Sequence, residues 1–305
     1  MSDEAEPRHA ASPGELLALA LLLAGRAGEL LLAARAGSAR FAATRASAST
    51  KSSSTDLATD ADRASEALVR DELARLRPDD AVLGEEAGAS GGSSGLVWII
   101  DPLDGTTNYV YDHPAWSVSI AVAERVPGAG VRTLAGVVRD PLRDETFAAA
   151  TGAGATLNGA SLALGPPARL DEALVGTGFA YASQRRRDQA RLLTTVLPSV
   201  RDIRRGGSAA LDLCYVAAGR LDAFYESGLK PWDRAAGVLI ASEAGAATRE
   251  LHLGFDEPPG TPESSADPSV WYMSPGRTGT EDPTLVVSAP GLLVPLLELL
   301  RLAAR

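Results

Sequence analysis

Cysteine is almost missing from this chain. Cys214 stands alone, which excludes an intramolecular disulfide and a cysteine-rich zinc site and makes a reducing cytoplasm the expected compartment. Its setting, Leu-Asp-Leu-Cys-Tyr-Val, reads as a buried helix. Lysine is nearly as scarce, with Lys51 and Lys230 the only two among 29 basic residues. His9, His113 and His252 show no metal-ligand spacing, and His113, beside Pro114, reads as a surface or hydrogen-bonding residue. An excess of positive charge is missing too. At a formal net charge of −10 the chain is not expected to bind nucleic acid or anionic membranes broadly, because neither polyanion gains counterion release from an acidic partner. The apolar run Leu16 to Leu23 follows the acids Asp3, Glu4 and Glu6 and is interrupted at Gly25-Arg26. It reads as too short to span a bilayer and lacks the basic start of an export signal, so a buried or amphipathic first helix is expected. No internal repeat is visible.

What is present is an ordinary globular composition, 45% hydrophobic and 22% charged over 305 residues, enough for one catalytic unit with two lobes. Residues 1–12 read as a disordered start, 13–166 as an N-terminal lobe, and 167–305 as a C-terminal lobe with a loop insertion at 254–283. Ser12-Pro13 and Glu15 start a helix of about 20 residues, and a Ser/Ala/Thr-rich loop carrying Lys51 follows. Apolar spacing predicts a helix over Asp60–Leu76, ended by Pro78. Ala81–Gly84, Leu96–Ile100, Ser117–Ala123, Leu134–Val138 and Glu145–Ala150 read as strands, with a Gly/Ser loop at 88–95 and a hairpin turn at Asn158-Gly159. In the second half the strands are Leu174–Thr177, Leu221–Tyr225 and Val286–Ser288, and the helices are Asp188–Val196, Ser208–Gly219, Trp232–Ala244 and Leu292–Ala303. Arg185-Arg186-Arg187 reads as a solvated helix start.

Chemistry concentrates in Trp98-Ile99-Ile100-Asp101-Pro102-Leu103-Asp104-Gly105-Thr106-Thr107-Asn108. Asp101 and Asp104, at the end of a buried strand, cannot both point into apolar core, because an unpaired buried charge is very costly. With few bases nearby, hard oxygen-coordinated cations such as Mg²⁺ are their natural partners. An acidic protein that handles phosphate also needs such ions to reverse the local field. Gly105 permits close backbone approach, the amides of Gly105 and Thr106 can meet a phosphate oxygen, and the Thr106 hydroxyl can orient a water.

This string resembles the central signature of the inositol monophosphatase family, and the resemblance extends in order over roughly residues 14–250, weakening after Gly254. Lys51 and Asp62 are similar to the family's mobile-loop lysine and auxiliary metal-site aspartate, with Asp60 as the competitor for the latter place. Gly84-Glu85-Glu86 resembles the motif whose first glutamate ligates metal, and Trp232-Asp233-Arg234-Ala235-Ala236-Gly237 the second signature. Glu85 and Asp233 can each be read otherwise, as a solvated loop residue and a helix cap. The resemblance implies a layered α/β/α/β/α sandwich, commonly a homodimer, acting on a small-molecule phosphate monoester. Two or three Mg²⁺ would be held by Glu85, Asp101, Asp104, Asp233 and a backbone oxygen of Pro102 or its neighbour Leu103. Asp104, Gly105, Thr106, Gly207, Ser208, Ala209 and Glu226 would face the substrate, the helix opening at Gly207–Ala209 through free amides and Glu226 through a sugar hydroxyl. The implied reaction is direct attack on phosphorus by a metal-activated water, with Glu85, Thr106, Asp62 and Lys51 as the catalytic set and no phosphoenzyme.

Asp104-Gly105-Thr106 also invites comparison with haloacid-dehalogenase phosphatases, but those place their two aspartates two residues apart, whereas Pro102-Leu103 separates these. A non-catalytic regulator touching the transcription machinery is the rival of another class. Within the phosphatase reading, inositol monophosphate is the favoured substrate. Histidinol phosphate, fructose bisphosphate and phosphoadenosine phosphate are the alternatives.

Overall fold

A computed structural model of the chain describes residues 11–37, 49–50, 57–126, 130–166, 169–253, 270–271 and 283–304. The chain opens with α1 (Pro13–Gly37), then β1 (Ser49–Thr50) paired antiparallel with β2 (Leu57–Ala58), then α2 (Asp60–Leu76). Next come β3 (Ala81–Gly84), β4 (Gly88–Ser90), β5 (Leu96–Asp104), the short α3 (Thr106–Val110), β6 (Ser117–Val126), β7 (Gly130–Asp140), β8 (Glu145–Ala150), β9 (Ala155–Leu157) and β10 (Ala160–Leu162). The second half contains β11 (Leu174–Thr177), α4 (Ser183–Val196), β12 (Asp202–Arg204), α5 (Ala209–Ala217), β13 (Ala223–Ser227), α6 (Pro231–Glu243) and β14 (Ala247–Leu251). β15 (Val270–Trp271), β16 (Thr284–Ser288) and α7 (Leu293–Ala303) complete it.

Two large sheets result. A nine-stranded sheet runs β10-β9-β8-β7-β6-β5-β3-β4 with β15 added to β7, and a five-stranded sheet runs β12-β11-β13-β16-β14. Three apolar clusters define how they stack. Along β5, Trp98 and Ile100 point to one side with Leu16, Leu23 and Leu31 of α1 and Val69 and Leu73 of α2, while Val97 and Ile99 point to the other. That second side packs on α5 and α6, which bury their far side on Phe224, Leu285 and Val287 of the smaller sheet. Val175, Tyr225 and Val286 on the outer face of that sheet are covered by α4 and α7. The order is therefore α/β/α/β/α, five layers whose alternating strand faces are both buried, which is why β5 is apolar at every position before Asp101.

α1 runs unbroken through Gly25-Arg26, longer than the interruption suggested, and by length and composition Pro13–Ala36 could cross a membrane. Here Leu16, Ala20, Leu23, Ala27 and Leu31 are 0–2% exposed against the sheet and α2, so its apolar side is already covered by protein. The segment expected to be a Gly/Ser loop after Glu86 contains the edge strand β4. α4 starts at Ser183, taking in the three arginines, and strands β9, β10, β12 and β14 are too short or too polar to stand out by pattern. Of the expected 254–283 insertion, residues 254–269 and 272–282 lie outside the described residues, and Val270–Trp271 adds to the β7 edge.

Candidate active site

β5 does not stop at Asp101 as the apolar run suggested; it continues to Asp104 through an irregularity. Asp101 lies opposite Ser119 and Asp104 opposite Ser117, so three steps on β5 match two on β6. Pro102 has no N–H to give the ladder, and one extra residue is accommodated as a bulge. The consequence is chemical. In a regular strand residues three apart face opposite ways, but the extra residue turns both carboxylates to the side occupied by α5 and α6.

The other acids arrive from three directions. β3 runs parallel to β5 with Gly84 beside Ile100, and the Glu85 N–H donates to Ile100 O at 3.2 Å, which sets Glu85 next to Asp101. Asp233 sits in the first turn of α6, its Oδ2 accepting the Lys230 N–H at 2.6 Å, and Ser119 Oγ on β6 donates to Trp232 O at 3.2 Å, tying that turn to the larger sheet. Asp104 Oδ2 accepts from Ser208 Oγ at 2.5 Å and from the Ala210 N–H at 2.8 Å, joining the strand end to the start of α5. Of the Gly207–Ala209 amides expected to meet substrate, that of Ala209 also points at Asp104, and further along the Leu211 N–H goes to Ser208 Oγ at 3.3 Å. Asn108 holds the same junction, its Nδ2 donating to Ala115 O at 2.6 Å and Gly206 O at 2.9 Å.

α2 supports the site from behind. Asp62 is fully buried, accepts the Thr106 hydroxyl on Oδ1 at 2.9 Å, and takes the Thr59 N–H on Oδ2 at 2.8 Å. Asp60 is exposed and pairs with Arg63 at 2.7 Å, so Asp62 is the aspartate that reaches Thr106. Ser65 Oγ donates to Pro102 O at 3.0 Å. That carbonyl is engaged away from the cleft, whereas Leu103 lines the cleft and its carbonyl lies 3.1 Å from Thr106 Oγ1. Of the two candidate backbone oxygens, Leu103 is the better placed. Lys51 lies outside the described residues.

Glu85, Asp101, Asp104, Thr106, Glu226 and Asp233 line one cleft of about 490 Å³, with Gly105, Gly207, Ser208 and Ala209 in its wall. Burial, then the charges of Glu85, Asp104 and Asp233, pushes the Asp101 carboxyl well above the usual carboxylate range. Burial and then Glu85 and Asp104 do the same to Asp233. Asp104 rises through burial to about 6, opposed by its bonds to Ser208, Ala210 and Ala209. Such a cluster favours either protons or a cation, and its all-oxygen donors suit a hard divalent ion. Among the described residues no three acid, histidine or cysteine side chains already stand as a closed cage. The fit therefore lies in donor chemistry and in the shared orientation of these side chains toward one cleft.

Asp212, in this cleft, escaped the sequence reading, whereas Glu226 was expected at it. Asp212, pushed up to about 8 by burial and then by the charge of Asp104, lines it together with Arg205. Its signal was available, since it is the lone acid in the apolar helix Ala-Ala-Leu-Asp-Leu-Cys-Tyr-Val. Glu226, at the end of β13 against Gly178, is raised to about 8 by burial, with the positive charge of Arg205 pulling the other way. The loop Gly178–Ala182 and Arg185 close the same end of the cleft. Nothing in the composition of the 178–182 loop marked it, whereas Arg185 belongs to the arginine run read as a solvated helix start.

The inositol monophosphatase family matches this chain over residues 13–274. An inositol-1-monophosphatase of Mycobacterium bovis is 50% identical over 205 residues, covering 64% of this chain and 69% of that protein. A protein of Vibrio cholerae named Nus factor SuhB is 41% identical over 210 residues, covering 68% and 77%. Among solved structures, Mycobacterium tuberculosis SuhB superposes with a TM-score of 0.73 at 38% identity, over 96% of this chain and 98% of that one. On this match, together with the five-layer fold, the chain belongs to the inositol monophosphatase family.

Proposed function

We propose that this chain is a magnesium-dependent phosphate monoester hydrolase whose preferred substrate is inositol monophosphate. The observation that carries the reading is the convergence of Glu85, Asp101, Asp104 and Asp233, from both halves of the chain, on a cleft that also holds the Thr106–Asp62 pair. The four carboxylates and the Leu103 carbonyl would hold two or three Mg²⁺. When bound, these ions supply Lewis-acid activation of the phosphate and of water at neutral pH. The residues do the rest. Thr106 donates its hydroxyl hydrogen to Asp62, which leaves its oxygen lone pairs to accept a hydrogen bond from the attacking water. Asp62, itself held by the Thr59 N–H, keeps that hydroxyl in one orientation and can take up a proton relayed through it. Glu85 supplies a second carboxylate beside the water, and Lys51 complements the anionic substrate from the segment before β2. Glu226, half-buried at the far end, offers a carboxyl to a substrate hydroxyl. The lobes are 13–166 and 167–305, and the chain works as a cytoplasmic homodimer.

Phosphate release from inositol 1-phosphate, histidinol phosphate, fructose 1,6-bisphosphate and 3′-phosphoadenosine 5′-phosphate, with and without Mg²⁺, tests this reading. Magnesium-dependent turnover fastest on the inositol ester is the expected result. No turnover on any of the four would favour the second reading, a binding protein of the transcription machinery, which the Nus factor names of several relatives support.

A further inference from the structure

Glu85 is presented by a tight turn at the edge of the larger sheet. Residues 85–87 are the three-residue connection of the β3–β4 hairpin, in which Gly84 lies opposite Gly88. A hairpin at the edge of a sheet is the kind of element that frays, and an acid carried on it would wander. Here the turn is gripped from α2. Glu66, 1% exposed, accepts the Glu86 N–H on Oε2 at 2.7 Å and the Ala87 N–H on Oε1 at 3.0 Å. Arg70, one helical turn on, donates Nε to Glu66 Oε1 at 2.6 Å and Nη2 to Gly88 O. One part-buried ion pair thus takes the two amides and the far carbonyl of the turn. Gly84 is shaped to it as well, because a Cβ there would fall 2.2 Å from Glu66 Oε1. The same face of the helix carries Asp62 against Thr106 and Ser65 against Pro102, so three limbs of the site are indexed to one rigid element.

We infer that Glu66, with Arg70, is a positioning residue that fixes Glu85 for metal binding while touching neither metal nor substrate. Its carboxylate is required rather than its shape, because two N–H donors and a guanidinium must be accepted at once, and an amide would turn an NH₂ toward one of them. The inference rests on Glu85 being a metal ligand.

The test is magnesium binding to the full chain, followed by titration calorimetry, with melting temperature and the magnesium dependence of phosphate release as companions. Glu66→Gln is expected to weaken Mg²⁺ binding about 10- to 100-fold, the range found when groups that orient a metal ligand are altered. Its kcat should return towards the wild-type value at saturating Mg²⁺, a split between binding and chemistry that mere loss of stability would not produce. Gly84→Ala, which displaces the same carboxylate, should weaken binding likewise. Asp80→Asn is the structural control, since Asp80 accepts Arg77 Nε and Trp98 Nε1, each at 2.8 Å, at the other end of α2. It should lower the melting temperature and leave magnesium affinity unchanged. Binding by Glu66→Gln as tight as wild type, or equal weakening in Asp80→Asn, would overturn the inference alone. A wild-type chain that binds no magnesium would overturn the metal reading beneath it.

Discussion

Asp212 and Glu226 are carboxyl groups that the fold holds in their protonated form near neutral pH, each at about 8. Their unfolded counterparts titrate near 3.9 and 4.3. Between about pH 4 and 8 the folded chain therefore binds more protons than the unfolded one, so stability falls as pH rises through that window. An asparagine at 212 has no proton to lose. Asp212→Asn should match wild type near pH 4 and melt higher at pH 8 in the presence of a chelator; a lower midpoint at pH 8 would contradict the burial argument. Glu226 also carries the substrate argument. Held neutral, its carboxyl makes a hydrogen bond that contributes about 0.5–1.5 kcal/mol, so Glu226→Ala should lower kcat/KM on a polyol phosphate by about 2- to 13-fold near neutral pH. Activity on nitrophenyl phosphate, which offers no hydroxyl, should barely change. An equal fall on both esters would mean that Glu226 supports the carboxylate cluster instead.

Among the elements, the bulged end of β5 matters most for the chemistry. Gly105, directly after it, adopts φ +93°, and a Cβ there would fall 2.9 Å from Ala115 O and 3.2 Å from Gly207 O. Gly105→Ala should cost about 1–3 kcal/mol from the backbone conformation alone and shift Asp104 away from α5. Urea denaturation would show the first effect, and weakened magnesium binding together with loss of turnover the second. Much of this region was legible in advance. The apolar run ending in paired aspartates located the site, and the 3.6-residue spacing over Asp60–Leu76 gave α2 to the residue. The bulge was not legible, because a proline after a strand reads equally well as a stop. Nor was the role of Glu66, which in Asp-Ala-Asp-Arg-Ala-Ser-Glu-Ala is one acid among several on a helix that could have faced solvent. Only the tertiary placement of the 85–87 turn singles it out.

For the molecule as a whole, the cleft gathers negative charge where two halves of the chain meet. Binding Mg²⁺ should raise the melting temperature, by about 2.7 kcal/mol of stability at a hundredfold excess over the dissociation constant. Asp101→Asn should abolish both this stabilisation and turnover while leaving the chelated protein at least as stable as wild type, since it removes one member of a repelling group. Scanning calorimetry with and without magnesium checks it, and wild-type-like turnover at saturating magnesium would refute the metal assignment. Asp104 will not behave as Asp101 does. One of its oxygens is committed to Ser208 and Ala210 of α5, and the other is what remains for an ion. Asparagine has a single acceptor and must choose. Turned one way it anchors the helix and offers the ion an NH₂; turned the other it serves the ion and confronts the helix amides with hydrogens of its own. Position 104 is thus a rivet between the layers as well as part of the floor of the cleft, and no neutral isostere can be both.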